Sequence, residues 1–272
     1  MRALEAVVRE AGAAILQVYE TQGSIAVETK ADDSPLTQAD RASHQTILKR
    51  LAELTPEIPV LSEESALPPF DERQRWERYW LVDPLDGTKE FIGRNGEFTV
   101  NIALIDRKAP VLGLVYVPVS QVLYGGGQGL GAWRVDEGGR RSIRARSLVV
   151  GQPLQVVASR RHGAERLEAL LEKAKSRFGQ IELVNVGSSL KLCLLAEGKA
   201  DWYPRLAPTS EWDTAAAQAV LEAAGGALVD EQGEPLRYNR KDSILNPFFH
   251  GLADPSFDWS SVMGPSWAKR SP

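Results

Sequence analysis

The stretch Tyr79-Trp80-Leu81-Val82-Asp83-Pro84-Leu85-Asp86-Gly87-Thr88 decides how the chain reads. Four apolar residues form a short run that stops abruptly at a carboxylate, and a Pro and an Asp-Gly pair follow as turn signals. This is the pattern of a buried strand whose end delivers Asp83 and Asp86 into one small space. Parallel α/β sheets set their sites at that end of their strands. Pro59-Val60-Leu61-Ser62 stops equally abruptly at Glu63-Glu64, so a neighbouring strand adds at least one more acid.

Upstream, Leu4, Val8, Ala11, Ile15 and Val18 fall on one helical stripe, and Ile47, Leu48, Leu51 and Leu54 on another. The loop between them ends in Thr37, an N-cap whose capping-box partner is Asp40. Downstream, Phe98 to Ile105, Val111 to Val117, Val122 to Tyr124 and Gly131 to Arg134 read as a meander of sheet. The pattern then changes to alternation: strand at Gln155 to Ala158, helix at Glu165 to Phe178, strand at Ile181 to Val184 and helix at Ser189 to Leu195. Ala200 to Tyr203 is a short strand, and Thr214 to Ala224 an Ala-rich helix stopped by Gly225-Gly226. Ala227 to Val229 opens the last strand. Such alternation predicts an α/β layer. The Gly-Gly-Arg-Arg stretch, Asp136 to Ser147, reads as a linker between an N-terminal half, residues 1–135, and a C-terminal half, residues 148–272.

The 272 residues are 43% hydrophobic and 25% charged, which supplies a large core for one big domain or two intimate ones. Against 32 Lys and Arg stand 36 Asp and Glu, a net charge of −4, so a nucleic-acid polymer is not expected as partner. The single cysteine, Cys193, cannot close an intramolecular disulfide or build a thiolate cluster, and a reducing cytoplasm is the expected location. Arg2, Glu5, Arg9 and Glu10 interrupt the N-terminal apolar residues as a signal peptide would not tolerate. No apolar run approaches the roughly 20 residues of a spanning helix.

Acids at the ends of two strands, with Asp213 after Trp212 at the start of the Ala-rich helix, make a cluster of four carboxylates. At an effective dielectric near 20, each close pair costs on the order of a few kcal/mol. With only oxygen donors and no matching lysines, a hard divalent cation such as Mg²⁺ is the natural counter-ion, and more than one ion is expected. Singly, Asp40 and Asp213 also fit as mere capping-box acids, three residues after Thr37 and Ser210, and Asp86-Gly87 as an ordinary turn. Jointly the pattern points to a site.

At these residues the sequence resembles the lithium-sensitive, magnesium-dependent phosphomonoesterases of the inositol monophosphatase superfamily. Asp40, Glu63-Glu64, Asp83-Pro-Leu-Asp-Gly-Thr88 and Trp212-Asp-Thr-Ala-Ala216 carry the resemblance. Leu61 to Glu64, Trp80 to Phe91 and Asn95 to Leu104 are similar to its 3′(2′),5′-bisphosphate nucleotidase branch. The resemblance runs from about Lys30 to Phe249 and implies a layered α-β-α-β-α sandwich of mixed α/β class. It also implies that Glu64, Asp83, Asp86, Asp213 and the Leu85 carbonyl hold Mg²⁺, roughly two or three ions to a site. Glu64 and the Thr88 hydroxyl would orient a metal-activated water for in-line attack on phosphorus, with Asp40 accepting from Thr88. Main-chain N–H groups of Gly87 and Thr88 would bind phosphate oxygens.

In the second half, Ser188, Lys191 and Arg205, with His162 in Arg160-Arg-His162, resemble the residues with which that branch binds nucleoside and second phosphate. Two cations suit a second phosphate, whereas an inositol or sugar monophosphate would leave them without an anion. The implied reaction is hydrolysis of adenosine 3′,5′-bisphosphate to AMP and phosphate, in sulfur assimilation, with 3′-phosphoadenylyl sulfate as a second substrate. The alternatives are an inositol monophosphatase or broad sugar phosphatase and, in another class, a non-catalytic nucleotide sensor, against which Thr88 and Asp40 count. The resemblance admits a monomer or homodimer and peripheral membrane association. Gly125 to Gly131 lacks the ending of a phosphate loop and reads as a strand connection. The arginines from Arg140 to Arg146 read as a solvated face, and Cys193 as core.

Overall fold

A computed structural model describes residues 1–21, 27–29, 35–158 and 164–267 of the chain. The elements are α1 (Arg2–Tyr19), β1 (Val27–Thr29), β2 (Pro35–Thr37), α2 (Gln38–Leu54), β3 (Val60–Ser62), α3 (Phe70–Arg73), β4 (Arg78–Asp86), α4 (Thr88–Ile92), β5 (Thr99–Asp106), β6 (Ala109–Val117), β7 (Val122–Gly127), β8 (Gly131–Asp136) and β9 (Gly139–Ile143). There follow β10 (Leu154–Val157), α5 (Ala164–Phe178), β11 (Ile181–Val184), α6 (Leu190–Ala196), β12 (Trp202–Arg205), α7 (Glu211–Ala223), β13 (Ala227–Asp230), β14 (Phe249–Leu252) and α8 (Ser260–Met263). A seven-stranded sheet runs in the order β3-β4-β5-β6-β7-β8-β9, and a five-stranded one as β11-β10-β12-β14-β13.

Alternation along the strands builds three apolar layers. In β4 and β5, Trp80, Val82, Val100 and Ile102 pack with Val7, Val8, Ile15, Ile47 and Leu51 of α1 and α2. The opposite face, with Tyr79, Leu81, Ala103 and Ile105, meets Leu192, Leu195, Ala215, Ala216 and Val220 of α6 and α7. Those two helices also cover Val157, Tyr203, Leu228 and Phe249 of the second sheet. Its far face packs Leu154, Val156 and Trp202 against Ala174, Phe178, Trp259 and Val262. The layers are therefore helix, sheet, helix, sheet, helix, as the resemblance implied.

A departure from the sequence reading here has a local cause. The first part of Asp136 to Ser147 is strand: Gly139, at φ +90°, turns a hairpin, and β9 pairs antiparallel with β8 from Asp136↔Gly139 to Ala132↔Ile143, which leaves residues 144–147 as the connection. Its arginines are largely neutralised, Arg140 by Glu5, Arg141 by Asp136 and Arg146 by the buried Asp201. The C-terminal segment also has a definite place. Trp259 is buried between Trp202 and Phe178, and Trp267 donates its indole N–H to the Glu231 carbonyl and meets His250 edge to face.

Helix α7 lies flat on the first sheet because two strands present glycine beneath it. A Cβ on Gly113 would come within 2.1 Å of the Ala216 carbonyl oxygen, and one on Gly126 within 2.6 Å of Val220 Cα. That close approach carries the N-terminus of α7, and Asp213 with it, to the strand ends.

Candidate active site

Asp83 continues the α7-facing row of Tyr79 and Leu81 and is 1% exposed. Strict alternation would send Asp86, three residues on, to the other face. The ladder with β5 breaks at this point: Asp83 pairs with Asn101 and Asp86 with Thr99, three steps on β4 against two on β5. This bulge brings the two carboxylates to one face. The Leu85 N–H donates to Asp83 Oδ1 at 3.0 Å, and the Ser43 hydroxyl to the Pro84 carbonyl at 2.7 Å, which fixes the bend to α2. Gly87 then turns the chain into α4 at φ +94°, a left-handed conformation that L side chains rarely adopt.

The sequence reading selects Glu64 as the acid of the neighbouring strand. The structure corrects this to Glu63. In the parallel register Leu61 lies beside Leu81 and Ser62 beside Val82, and the Glu63 N–H donates to the Val82 carbonyl at 3.1 Å. The next position therefore falls beside Asp83. Glu63 and Asp83 share a side-chain hydrogen bond, and Glu63, rather than Glu64, is among the principal charges acting on Asp83, Asp86 and Asp213. Leu61, two residues earlier, faces α6 and α7, which puts Glu63 on that same face.

Burial pushes the Asp83 carboxyl well above the usual carboxylate range, and Glu63, Asp86 and Asp213 push it further. Asp86 is raised by burial to about 6, against the pull of Lys191 and of the Ser189 N–H, which it accepts at 2.5 Å. Asp213 is raised by burial and by Asp86, with the Ser210 N–H and Arg205 acting in the opposite direction. Among the described residues no three Asp, Glu, His or Cys side chains stand at the spacing of an assembled ion centre. The donor chemistry is nonetheless that of a hard divalent cation: oxygen ligands alone, largely removed from water, that cannot all ionise without a positive charge between them.

Asp40 sits 1% exposed in the first turn of α2, and the Thr88 hydroxyl donates to its Oδ1 at 3.4 Å. Both acids expected to be capping-box members are so: Asp40 Oδ2 accepts from the Thr37 N–H at 2.7 Å, and Asp213 Oδ2 from the Ser210 N–H at 2.8 Å. The local reading and the site reading hold together for these residues.

Asp86, Gly87 and Asp213 line a pocket of about 700 Å³ together with Gly187, Ser188, Lys191, Tyr203, Arg205 and Phe249. The loop before α6 is pinned to the first sheet twice, by the Gly187 N–H on Glu97 Oε2 at 2.8 Å and by the Ser189 N–H on Asp86. Between these anchors Ser188 is held at φ +46°, and its buried hydroxyl has no hydrogen-bond partner. Lys191 Nζ donates to the Ser188 carbonyl at 3.0 Å, and burial lowers its pKa. The Arg205 guanidinium donates to the Ala207 and Pro208 carbonyls, which hold it at the pocket wall. His162, with Arg160 and Arg161, lies outside the described residues. Sequence reasoning missed Glu97 and Ser189, whose roles follow from contacts about 90 residues or more apart along the chain.

The sequence pattern of the inositol monophosphatase family matches residues 1–256. The 3′(2′),5′-bisphosphate nucleotidase CysQ of Escherichia coli K12 is 52% identical over 241 residues, 89% of this chain and 94% of its own. The CysQ nucleotidase of Haemophilus influenzae is 37% identical over 254 residues, 93% of this chain and 92% of its own. Among solved structures, CysQ from Bacteroides thetaiotaomicron superposes with a TM-score of 0.79 at 42% identity, covering 92% of this chain and 96% of that one. The IMPase of Thermotoga maritima shares the fold at a TM-score of 0.75 and 20% identity, covering 98% of each chain.

Proposed function

The chain belongs to the inositol monophosphatase family, whose members are metal-dependent, and from that premise we propose that it is a Mg²⁺-dependent 3′(2′),5′-bisphosphate nucleotidase. It hydrolyses the 3′-phosphate of adenosine 3′,5′-bisphosphate, giving AMP and inorganic phosphate, and serves sulfur assimilation. The observation that carries this reading is one pocket of about 700 Å³ whose lining joins the carboxylates Asp86 and Asp213 to the cations Lys191 and Arg205. A monophosphate needs only the acids and their cation; a nucleotide with a second phosphate also uses Lys191 and Arg205. The buried, unpartnered Ser188 hydroxyl offers that substrate a further polar contact.

Glu63, Asp83, Asp86, Asp213 and the Leu85 carbonyl would hold Mg²⁺, with Glu63 in the role that the sequence reading gave to Glu64. When bound, the cation supplies Lewis-acid chemistry: it polarises the phosphoryl oxygens, lowers the pKa of water and neutralises charge on the leaving oxygen. The chain's own part begins with Thr88. Its hydroxyl proton is committed to Asp40 Oδ1, which leaves the oxygen's lone pairs to accept from a water aimed in line at phosphorus. Glu63 would accept a hydrogen bond from the other O–H of that water, so that the two groups together orient it. The N–H groups of Gly87 and Thr88 bind phosphoryl oxygens where β4 turns into α4. Lys191, Arg205 and Ser188, and His162 from outside the described residues, take the nucleoside and its other phosphate.

Acids from residues 1–135 and from residues 148–272 meet at this pocket, so the two halves act as one catalytic unit. No helix among the described residues is long and apolar enough to cross a membrane, and the lone buried thiol of Cys193 suits a reducing cytoplasm. The deciding experiment measures phosphate release from adenosine 3′,5′-bisphosphate and from inositol 1-phosphate, with Mg²⁺ titrated and Li⁺ present or absent. Mg²⁺-dependent, Li⁺-sensitive release from the nucleotide is expected. Preference for inositol phosphate would overturn the assignment of Lys191 and Arg205.

A further inference from the structure

One buried amide beside the acids is not used by the mechanism above. Asn101 is 1% exposed, and its register partner across the β4–β5 ladder is Asp83. Both residues belong to the face that meets α6 and α7, as the positions of Leu81 and Ala103 show. Asn101 Oδ1 accepts the Ser189 hydroxyl at 2.8 Å, and the Thr99 hydroxyl lies 2.9 Å from the Ser189 oxygen. A carbonyl oxygen can only accept, so the direction of the chain is fixed: Thr99 donates to Ser189, and Ser189 to Asn101. The main-chain N–H of Ser189 is thereby aimed at Asp86 Oδ2, which it meets at 2.5 Å. Thr99 and Ser189 are themselves buried, so no bulk water competes for these bonds.

The other end of the amide is unsatisfied. Asn101 Nδ2 is buried and has no hydrogen-bond partner. A buried amide N–H without an acceptor is unfavourable, and this one stands on the residue directly across from a carboxylate. From this juxtaposition we propose that Asn101 is a positioning residue for cation binding. Its oxygen orders Ser189 against Asp86, and its unpartnered N–H group is a donor for Asp83, its register partner. The amide thus braces both strand-end aspartates from underneath without touching substrate. Groups that orient liganding carboxylates in this way change metal affinity by about 10- to 100-fold when removed.

The proposal rests on the reading of the acids as a Mg²⁺ site, and its test separates the two. Mg²⁺ binding is measured by calorimetry and by the Mg²⁺-dependent rise in melting temperature, on the full chain and on Asn101→Ala, Ser189→Ala and the double variant. Asn101→Ala is expected to weaken Mg²⁺ about tenfold while kcat at saturating Mg²⁺ stays within about threefold. Ser189→Ala should weaken it less, because the N–H on Asp86 remains. Because the two side chains act through one hydrogen bond, the double variant should resemble Asn101→Ala rather than show the product of both losses. Should Asn101→Ala prove too unstable to purify, Ser189→Ala alone carries the test. Lower melting temperatures with unchanged Mg²⁺ affinity in both variants would make the network merely structural and overturn the proposal. Absence of Mg²⁺ binding by the unaltered chain would overturn the metal reading beneath it.

Discussion

At the start of α2 the Thr37 N–H donates to Asp40 Oδ2 at 2.7 Å; at the start of α7 the Ser210 N–H donates to Asp213 Oδ2 at 2.8 Å. Both are capping boxes with aspartate as the third helical residue. Their surroundings differ. Asp40 is buried, its second oxygen accepts the Thr88 hydroxyl, and the Thr37 hydroxyl closes on its first at 2.6 Å. Asp213 opens into the pocket among Asp86, Glu63 and Arg205. One local rule has produced an acid surrounded by donors and an acid surrounded mostly by other acids. A capping acid is free to do chemistry with whichever oxygen the cap leaves over, and the helix's destination decides what that oxygen meets.

Four experiments sharpen this contrast. The largest effect is expected from Asp213→Asn, which keeps an oxygen for the cap and removes the charge: turnover should fall about 10³-fold or more, together with Mg²⁺ affinity. Retention of full activity by this variant would remove α7 from the site. Asp40→Asn, and likewise Thr88→Ala, should slow kcat about 10²-fold and leave Mg²⁺ affinity where it was. If Asp40→Asn weakens Mg²⁺ as much as Asp213→Asn does, the distinction between the two helix starts collapses.

The third experiment is a pH titration of stability without divalent cations. Folded-state pKa values of Asp83, Asp86 and Asp213 lie above those of the unfolded chain, Asp86 at about 6. The folded protein therefore binds more protons than the unfolded one at mildly acidic pH. This contribution is present below the unfolded carboxylate pKa and is lost as pH rises through the folded values. The melting temperature should fall on going from about pH 5 to 7.5, and saturating Mg²⁺ should abolish the fall. The buried His250, its pKa lowered by desolvation to about 4, acts in the opposite direction, so a rise that survives His250→Gln would contradict the burial of ionisable acids. The smallest effect compares the caps directly. Thr37→Ala and Ser210→Ala should each cost about 1 kcal/mol by chemical denaturation. Only Thr37→Ala should also lower kcat, by a few-fold, because its hydroxyl bonds the carboxylate that holds Thr88.

Much of this molecule was legible in its residues. Runs that stop at carboxylates marked β3 and β4, 3.6-residue stripes marked α1 and α2, and Thr37 and Ser210 announced their caps, because each signal rests on neighbours within a few positions. The strand at Gly139–Ile143 was hidden, since Arg140 and Arg141 are polar on an exposed edge and lack the apolar alternation of a covered one. Glu64 was selected over Glu63 because two adjacent acids look alike until the register with β4 says which one stands beside Asp83.

What the sequence determined by itself was the kind of chemistry: oxygen donors in excess at strand ends and helix starts, two cations in the later half, one thiol and no basic field. What only the tertiary structure decided was the arrangement. The bulge between Asp83 and Asp86 overrides alternation, and the glycines under α7 let Asp213 approach. The hydrogen bonds of Glu97 and Ser189 draw the Lys191 loop across the pocket. These are contacts between residues far apart along the chain, and a one-dimensional pattern carries no term for them, because their energy exists only once the layers have met.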